Sequence, residues 1–432
     1  KIFPESGLIA LRINFAIVDF PEPDCPAMAK IFPCSTEKFT ESAAITSSES
    51  DEKKFFFLNF FVKFSTFKIL FIIGIIFSCD KKFMQNKNRQ NMNNKSKQKL
   101  LGYQSYAIQE NLTYFKPTKI STTATFAEEI RYTLLQPKKS ISPKFFYDED
   151  GSKIFDEICS LPEYYPYNAE TEILQTIEKK LLSYLTTEFH LVELGSGSSV
   201  KTRLLIDILL KSQKHLQYFP IDISEILDQS AKTLCMDYEN LTVTGVVDTF
   251  ENGLDFIEHY DDKPNLITFL GSSFGNFDQN EGILFLQKIN NLMKPNDLFL
   301  IGLDLKKDQQ ILYNAYNDSQ KTTAKFNLNI LKRINDELGA DFNLENFEHH
   351  AIYDEEKGRI EMYLRSLSEQ YITIPKSDLS ITLSKDELIH TENSHKFSIS
   401  QIELSLKESN FEKLEIWFDS RNYFALVLAK KL

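Results

Sequence analysis

Glu193, Gly195 and Gly197 stand in the run Leu191-Val192-Glu193-Leu194-Gly195-Ser196-Gly197-Ser198-Ser199, where an apolar stretch meets an acid and then two glycines. These types at this spacing suit the holding of a charged small molecule. Glycine lets the main chain approach a ligand with no Cβ in the way. A turn that opens a helix also aims free backbone N–H groups at whatever sits there. The same glycine pair reads, more plainly, as a tight turn after a strand. A second acid, Asp222, ends the run Tyr218-Phe219-Pro220-Ile221. In doubly wound sheets a carboxylate there accepts from the hydroxyls of a ribose. Asp222 or Ser224 also reads as the cap of a helix over residues 225–234. A third point, Asp248-Thr249-Phe250, follows residues 242–247, where the edge and face of an adenine would lie.

Strands must position these groups. Residues 191–194, 218–223, 242–247, 266–270 and 298–303 read as buried apolar strands, with helical patterns between them, the first over 201–210. That alternation predicts an α/β fold, a Rossmann-like parallel sheet with its ligands at the carboxyl ends of the strands. The fourth strand runs into Gly271-Ser272-Ser273-Phe274-Gly275-Asn276 and the fifth ends at Asp304. Val200 follows Ser199, so the third glycine of the dinucleotide fingerprint is missing. Glu-x-Gly-x-Gly is instead the form seen in S-adenosylmethionine-dependent methyltransferases, in which no pyrophosphate is held. Beyond Asp304, residues 306–338 carry apolar side chains at helical spacing. Residues 351–353, 359–367 and 380–383 are strand-like, and 414–419 with 423–428 alternate as an edge hairpin returning to the sheet.

Separated motifs, in order, carry a closer resemblance. They are Lys144-Phe145-Phe146-Tyr147-Asp148, Leu161-Pro162-Glu163-Tyr164-Tyr165-Pro166, the loop from Glu193 with Lys201-Thr202-Arg203, and the segment 269–276. Ala315-Tyr316-Asn317-Asp318, Phe326-Asn327-Leu328-Asn329, Ala340-Asp341-Phe342, Ile360-Glu361-Met362 and His390-Thr391-Glu392-Asn393-Ser394 follow. From about Tyr106 to Leu432 the chain resembles the histidine-specific S-adenosylmethionine-dependent methyltransferase family, the L-histidine Nα-methyltransferases of ergothioneine biosynthesis. The resemblance implies that the loop of Glu193, Gly195 and Gly197, with Lys201, Asp222, Thr249 and Phe250, lines the S-adenosylmethionine site. It implies that Tyr164, Asn276 and Tyr316 are the catalytic set, holding the substrate's α-amino and carboxylate groups with Tyr147 nearby. Glu392 and Ser394 would grip the imidazole, with Met362 packed close. The family often has an acid directly before the aromatic at the adenine position; here Thr249 stands there and Asp248 one earlier. The implied architecture is a methyltransferase domain of residues 170–306 and 397–432. Residues 118–169 and 307–396 would form a second α+β substrate-binding lobe, with a small-molecule pocket between the two.

Methyl transfer from a sulfonium is an in-line displacement, so the protein mainly has to align a neutral amine. Such positioning supplies about 7–11 kcal/mol at best. A tyrosine hydroxyl and an asparagine carbonyl orient a lone pair without competing as nucleophiles. Glu392 can accept from a ring N–H and Ser394 can donate or accept, which would discriminate strongly against other side chains. Three successive transfers, giving the betaine hercynine, are what the family implies. Plainer readings stand beside these. Tyr164-Tyr165 between Pro162 and Pro166 reads as core and rigid turn, and Asn276 as a left-handed turn residue beside Gly275. Phe326-Asn327 reads as core plus capping, and residues 391–396 as a solvated loop. Competing expectations for function are a relative methylating another amino acid or small amine, and a silent methyltransferase-like binding protein.

A net charge of −12 over 432 residues and a pI near 5.3 argue against nucleic acid as a partner. The fourth-strand loop also lacks the Pro-Pro-aromatic motif of base- and glutamine-modifying methyltransferases. His349-His350 and the other histidines show no zinc-type spacing, so no metal is expected. Cys159 and Cys235 fall in the body and suit reduced thiols. The expectation is a cytoplasmic monomer acting on a small molecule, with no stable membrane partner. Residues 1–105 read as an extension outside the enzyme body: Ser/Thr/Glu-rich at 36–50, apolar and aromatic at 55–78, and a Lys/Asn/Gln tract at 81–99 expected to be disordered. Its cleanest apolar run, 69–77, is too short to span a bilayer. The extension reads as upstream sequence ahead of a start at Met84 or Met92, as a membrane tether, or as a lipoprotein-like site ending at Cys79.

Overall fold

The computed structural model describes residues 102–118, 125–197, 199–223 and 227–432. The apolar run, the Lys/Asn/Gln tract, Ser198 and Ser224 lie outside the described residues.

The described chain opens with an antiparallel hairpin, β1 (Tyr103–Gln109) and β2 (Leu112–Pro117). Four helices follow, α1 (Phe126–Leu134), α2 (Glu149–Cys159), α3 (Tyr165–Thr176) and α4 (Glu178–Tyr184). The parallel core is then laid down as β3 (His190–Leu194), α5 (Val200–Ser212), β4 (Leu216–Asp222), α6 (Leu227–Asp237) and β5 (Leu241–Val247). It continues as α7 (Phe250–Glu258), β6 (Asn265–Phe269), α8 (Gln279–Leu292) and β7 (Leu298–Asp304). Every residue of β3, β6 and β7 is buried, because helices cover both faces, and this is why those strands read as unbroken apolar runs. Neighbours along a strand face opposite ways: Leu191 packs with Leu205, Leu209 and Leu300, while Val192 packs with Leu254, Phe285 and Phe299.

After β7 come α9 (Gln309–Tyr316) and α10 (Thr322–Leu338), then the strands β8 (Phe347–Asp354), β9 (Arg359–Ser366), β10 (Gln370–Ile374), β11 (Leu379–Leu383) and β12 (Leu388–His395). Asp318 starts α10 by accepting from the N–H groups of Thr322 and Thr323, each at 2.8 Å, and Gly339 ends it at φ 72°. The strands form a three-stranded sheet, β12-β9-β8, and a two-stranded one, β10-β11. Their core draws on residues between Ile130 and Tyr165 and between Leu312 and Ile389. Finally α11 (Ile399–Glu408), β13 (Phe411–Phe418) and β14 (Phe424–Lys431) return the chain to the main sheet, where β14 pairs antiparallel with β7.

The nine strands of that sheet run in the order β1-β2-β5-β4-β3-β6-β7-β14-β13. The winding reverses at β3, so the carboxyl ends of β3 and β6 flank the switch point where ligands bind in such sheets. Two expectations are corrected here. Tyr103–Gln109 pairs with β2, and β2 pairs with β5, so the boundary drawn at residue 105 cuts through an edge strand of the sheet. Residues 391–395 belong to β12, paired with β9, and are not a solvated loop.

Candidate active site

At the end of β3 the chain passes through Gly195, Gly197 and Ser199 at φ 77°, 45° and 61°, which turns it sharply into α5. Gly195 N–H donates to the Ile221 carbonyl at 2.9 Å, tying the loop to β4. A Cβ at Gly197 would meet nothing within 4 Å. The start of α5 has no side-chain cap, and Ser199 Oγ is buried without a hydrogen-bond partner among the described residues. Free N–H groups beside an unpaired hydroxyl fit the anionic end of a small ligand.

Glu193 lies inside the fold. It is 3% exposed and accepts from Thr202 Oγ1 at 2.8 Å and from the Tyr218 hydroxyl. Burial outweighs those bonds and pushes its carboxyl up to about 7. Its oxygens brace α5 through Thr202. Lys201 Nζ is likewise engaged, 2.5 Å from Glu170 Oε2. Glu170 is fully buried and also accepts from Gly271 N–H at 2.9 Å, so one carboxylate fastens both α5 and the loop after β6. Gly302 leaves room for it, since a Cβ there would stand 2.0 Å from Glu170 Oε1.

Asp222 ends β4, and its carbonyl accepts from Asp248 N–H at 3.1 Å, which joins the tips of β4 and β5. Asp248 accepts from the Tyr103 hydroxyl at 2.6 Å, from Thr249 N–H at 2.7 Å and from Asn252 Nδ2 at 2.9 Å. Thr249 caps α7 by accepting from Asn252 N–H at 3.3 Å. The Phe250 ring lies 3.8 Å from where a Gly195 Cβ would stand, so Phe250 and the glycine loop meet.

The second set of residues gathers on β12. Glu392 and Ser394, two apart, share a face, and a register shift between His390 and Glu392 sets Glu392 opposite Met362 of β9. Met362 is buried. Asn276 ends the 3-10 turn Ser273–Asn276 and donates from Nδ2 to Glu392 Oε1 at 3.1 Å. Gly275 permits this approach, because a Cβ there would lie 3.0 Å from the His395 carbonyl oxygen. The left-handed residue of the turn is Ser272, at φ 60°, so Asn276 is not there to serve the turn. Burial, outweighing the Asn276 bond and the charge of Lys396, pushes Glu392 up to about 7.

Tyr316, at the end of α9, donates to Ser394 Oγ at 2.7 Å. Tyr164 meets Tyr316 edge-on at 6.3 Å and Phe155 at 6.2 Å. Tyr147 meets Phe155 at 5.5 Å and Phe326 at 5.6 Å, which continues an aromatic wall from the polar end. Tyr147 is 42% exposed. Its hydroxyl is held above the ordinary range by burial first, then by the charge of Glu392 and, more weakly, of Asp222. Tyr165, by contrast, turns into the core and donates to Asp304 at 2.7 Å.

The structure thus brings Tyr147, Tyr164, Asn276, Tyr316, Met362, Glu392 and Ser394 together, and joins Gly195, Asp222, Thr249 and Phe250 at the strand tips. Glu193 and Lys201 sit behind the loop, bonded inside the fold. Asn327 is no cap: it lies within α10 and donates to the Tyr363 carbonyl at 2.9 Å. His349 bonds the Tyr316 carbonyl at 2.8 Å, and burial lowers its pKa. Three residues are not anticipated by sequence, Phe155, Glu170 and Lys396, and Asp304 is anticipated only as the end of a strand. Lys396 alone carried a signal, as the next position on the face of Glu392 and Ser394. Among the described residues, Asp255, Glu258 and His259 have ligand-type atoms within 4.8 Å of one another, on the exposed side of α7. No helix among the described residues is long and apolar enough to cross a membrane.

A family model described as histidine-specific methyltransferase, SAM-dependent, matches residues 126–431. The histidine N-alpha-methyltransferase of Mycolicibacterium smegmatis is 35% identical over 310 residues, 72% of this chain and 96% of that protein. The enzyme of the same name from Mycobacterium tuberculosis is 37% identical over 303 residues, 69% of this chain and 92% of its own. L-tryptophan methyltransferase trpM of Psilocybe serbica is 26% identical over 342 residues, 71% of this chain and 93% of that protein.

Proposed function

The chain belongs to the histidine-specific, S-adenosylmethionine-dependent methyltransferase family, and on that premise we propose that it methylates the α-amino group of L-histidine, yielding hercynine for ergothioneine biosynthesis. S-adenosylmethionine supplies an electrophilic methyl group when bound. The residues present suit it: the open Gly197, the unpaired Ser199 hydroxyl and the uncapped start of α5 for its amino-acid end, Asp222 for its ribose and Phe250 for its adenine. Tyr164, Asn276 and Tyr316 orient the acceptor amine and carboxylate, so that the nitrogen lone pair faces the methyl group. Tyr147, Phe155 and Phe326 give the substrate side an aromatic wall.

The observation that carries the choice of histidine is the state of Glu392. It is half-buried, and Asn276 supplies its side chain's one hydrogen bond among the described residues. A carboxylate partly withdrawn from water and short of donors favours a ligand that brings an N–H. The test is incubation of the purified protein with S-adenosylmethionine and either histidine or tryptophan, read by mass spectrometry. Stepwise gain of methyl groups on histidine up to the trimethylated product is expected, with tryptophan unchanged. Methylated tryptophan and unmodified histidine would reject the proposal.

A further inference from the structure

Behind the polar end sits a charged cluster. The Lys396 ammonium lies 2.7 Å from Asp304 Oδ2, 2.7 Å from Ser394 Oγ and 3.2 Å from the Tyr316 hydroxyl. An ammonium has three hydrogens and no acceptor site, so these partners use all of it. Asp304 also accepts from Tyr165 and Lys307, and it is fully buried. Burial alone would lower the Lys396 pKa, but the charge of Asp304 and then the contact with Tyr316 raise it well above the ordinary lysine range. Lys396 is therefore a donor throughout the physiological range.

The consequence falls on the two hydroxyls. Each accepts from Lys396, and they are joined to each other at 2.7 Å. A hydroxyl carries one hydrogen and two lone pairs. With Tyr316 donating to Ser394, both Ser394 lone pairs are filled and its own hydrogen is the one left to give. Reversing that bond frees the Tyr316 hydrogen instead. Either way the pair presents one O–H donor and wants an acceptor. Glu392, on the same face of β12, wants a donor.

We propose that Lys396 is a positioning residue that sets this polarity, so that the site takes a ring with a lone-pair nitrogen for the hydroxyl pair and an N–H for Glu392, which is the neutral form of an imidazole. The inference rests on the proposed function, in which Glu392 and Ser394 face the substrate ring. It adds that the imidazolium, with N–H on both sides, is refused by the hydroxyl pair, and that Asp304, at the end of β7, is the anchor from which the specificity of β12 is set.

The test compares histidine with β-(pyrrol-3-yl)alanine, which keeps a ring N–H but has no lone-pair nitrogen. Wild-type protein should show a KM for the analogue at least about tenfold above that for histidine, since a hydroxyl is left without an acceptor. Affinity for S-adenosylmethionine, read calorimetrically, should not depend on which ring is present. In Lys396→Met the two hydroxyls are freed to reorient, so the histidine-to-analogue ratio should collapse toward one, through KM more than kcat. Lys396→Gln, which retains a donor, should keep part of the ratio and stands in if the methionine variant fails to fold. Equal KM values in wild type, or an unchanged ratio in a folded Lys396→Met, would overturn the role of Lys396. Absence of histidine methylation by wild type would instead reject the proposed function.

Discussion

Glu193 and Glu392 stand at opposite ends of the candidate site and share one physical condition: burial pushes each carboxyl up to about 7. Their surroundings differ. Glu193 accepts from Thr202 and Tyr218, both inside the fold, and Glu392 receives one bond, from Asn276. The same contrast holds for the regions they represent. The cofactor end is lined by main chain at positive φ, and its acids Glu193 and Glu170 act from behind, on Thr202, Lys201 and Gly271. The substrate end is lined by side chains whose polar atoms come from β12, the turn after β6 and the end of α9. Main chain recognises shape and charge whatever the side chains are; buried side chains discriminate, because a wrong ligand leaves them unpaired. One end should therefore be generic and the other selective.

The sharpest way to break that division is Asn276→Ala. We expect turnover of histidine to fall about 10²-fold through lost alignment, while calorimetric affinity for S-adenosylmethionine stays as in wild type. A joint loss of both would mean that the ends are not separable. Gly302→Ala attacks the other end, forcing Glu170 aside from a Cβ that would lie 2.0 Å away. Thermal unfolding should show a loss of about 1–3 kcal/mol, and affinity for S-adenosylmethionine should suffer more than the KM for histidine.

Glu392→Gln sharpens the comparison by removing charge at constant volume. The KM for histidine should rise about tenfold. Wild-type affinity should also climb as pH rises through about 7, because the ionised carboxylate accepts the ring N–H best, and its raised pKa places the change there. The glutamine variant should lose the part of that rise set by the carboxylate and keep the limb at about 6.5 that the ring of histidine itself brings; a profile identical to wild type would assign the titration to another group. Glu193→Gln should have the smallest effect. The folded-state pKa of Glu193 is raised to about 7, so between the ordinary carboxylate range and that value the folded chain holds a proton the unfolded chain has released. Its contribution is most favourable at low pH and is lost as pH rises through about 7. The variant should match wild type in melting temperature in mild acid and exceed it in mild alkali, with the histidine KM unchanged in both.

The two ends were also unequally legible in the sequence. The cofactor loop is contiguous: strand, acid, glycines and helix follow one another within Leu191–Ser212, and strands buried on both faces announce themselves as apolar runs. The substrate residues lie far apart between Tyr147 and Ser394, each with an adequate plain reading, and it is the ordered motifs that gather them. Residues 391–396 have the composition of a solvated loop because a strand facing a polar site carries the same residue types. The β1–β2 hairpin escapes notice because an edge strand leaves apolar residues such as Ile108 exposed, 46% in this case, so its alternation is blurred. Glu170 gives no local signal, since what makes it matter is a partner distant in the chain; Asp304 reads only as the acid that ends a strand, and its bond to Lys396 is what the sequence does not show.

The central claim, that this site selects histidine and methylates its α-nitrogen, is tested most directly by competition. The protein is given all twenty amino acids at equal concentration with methyl-labelled S-adenosylmethionine, and the products are fragmented in a mass spectrometer. The account predicts label in histidine alone, carried on the α-nitrogen. Label on a ring nitrogen, or in a different amino acid, would contradict it.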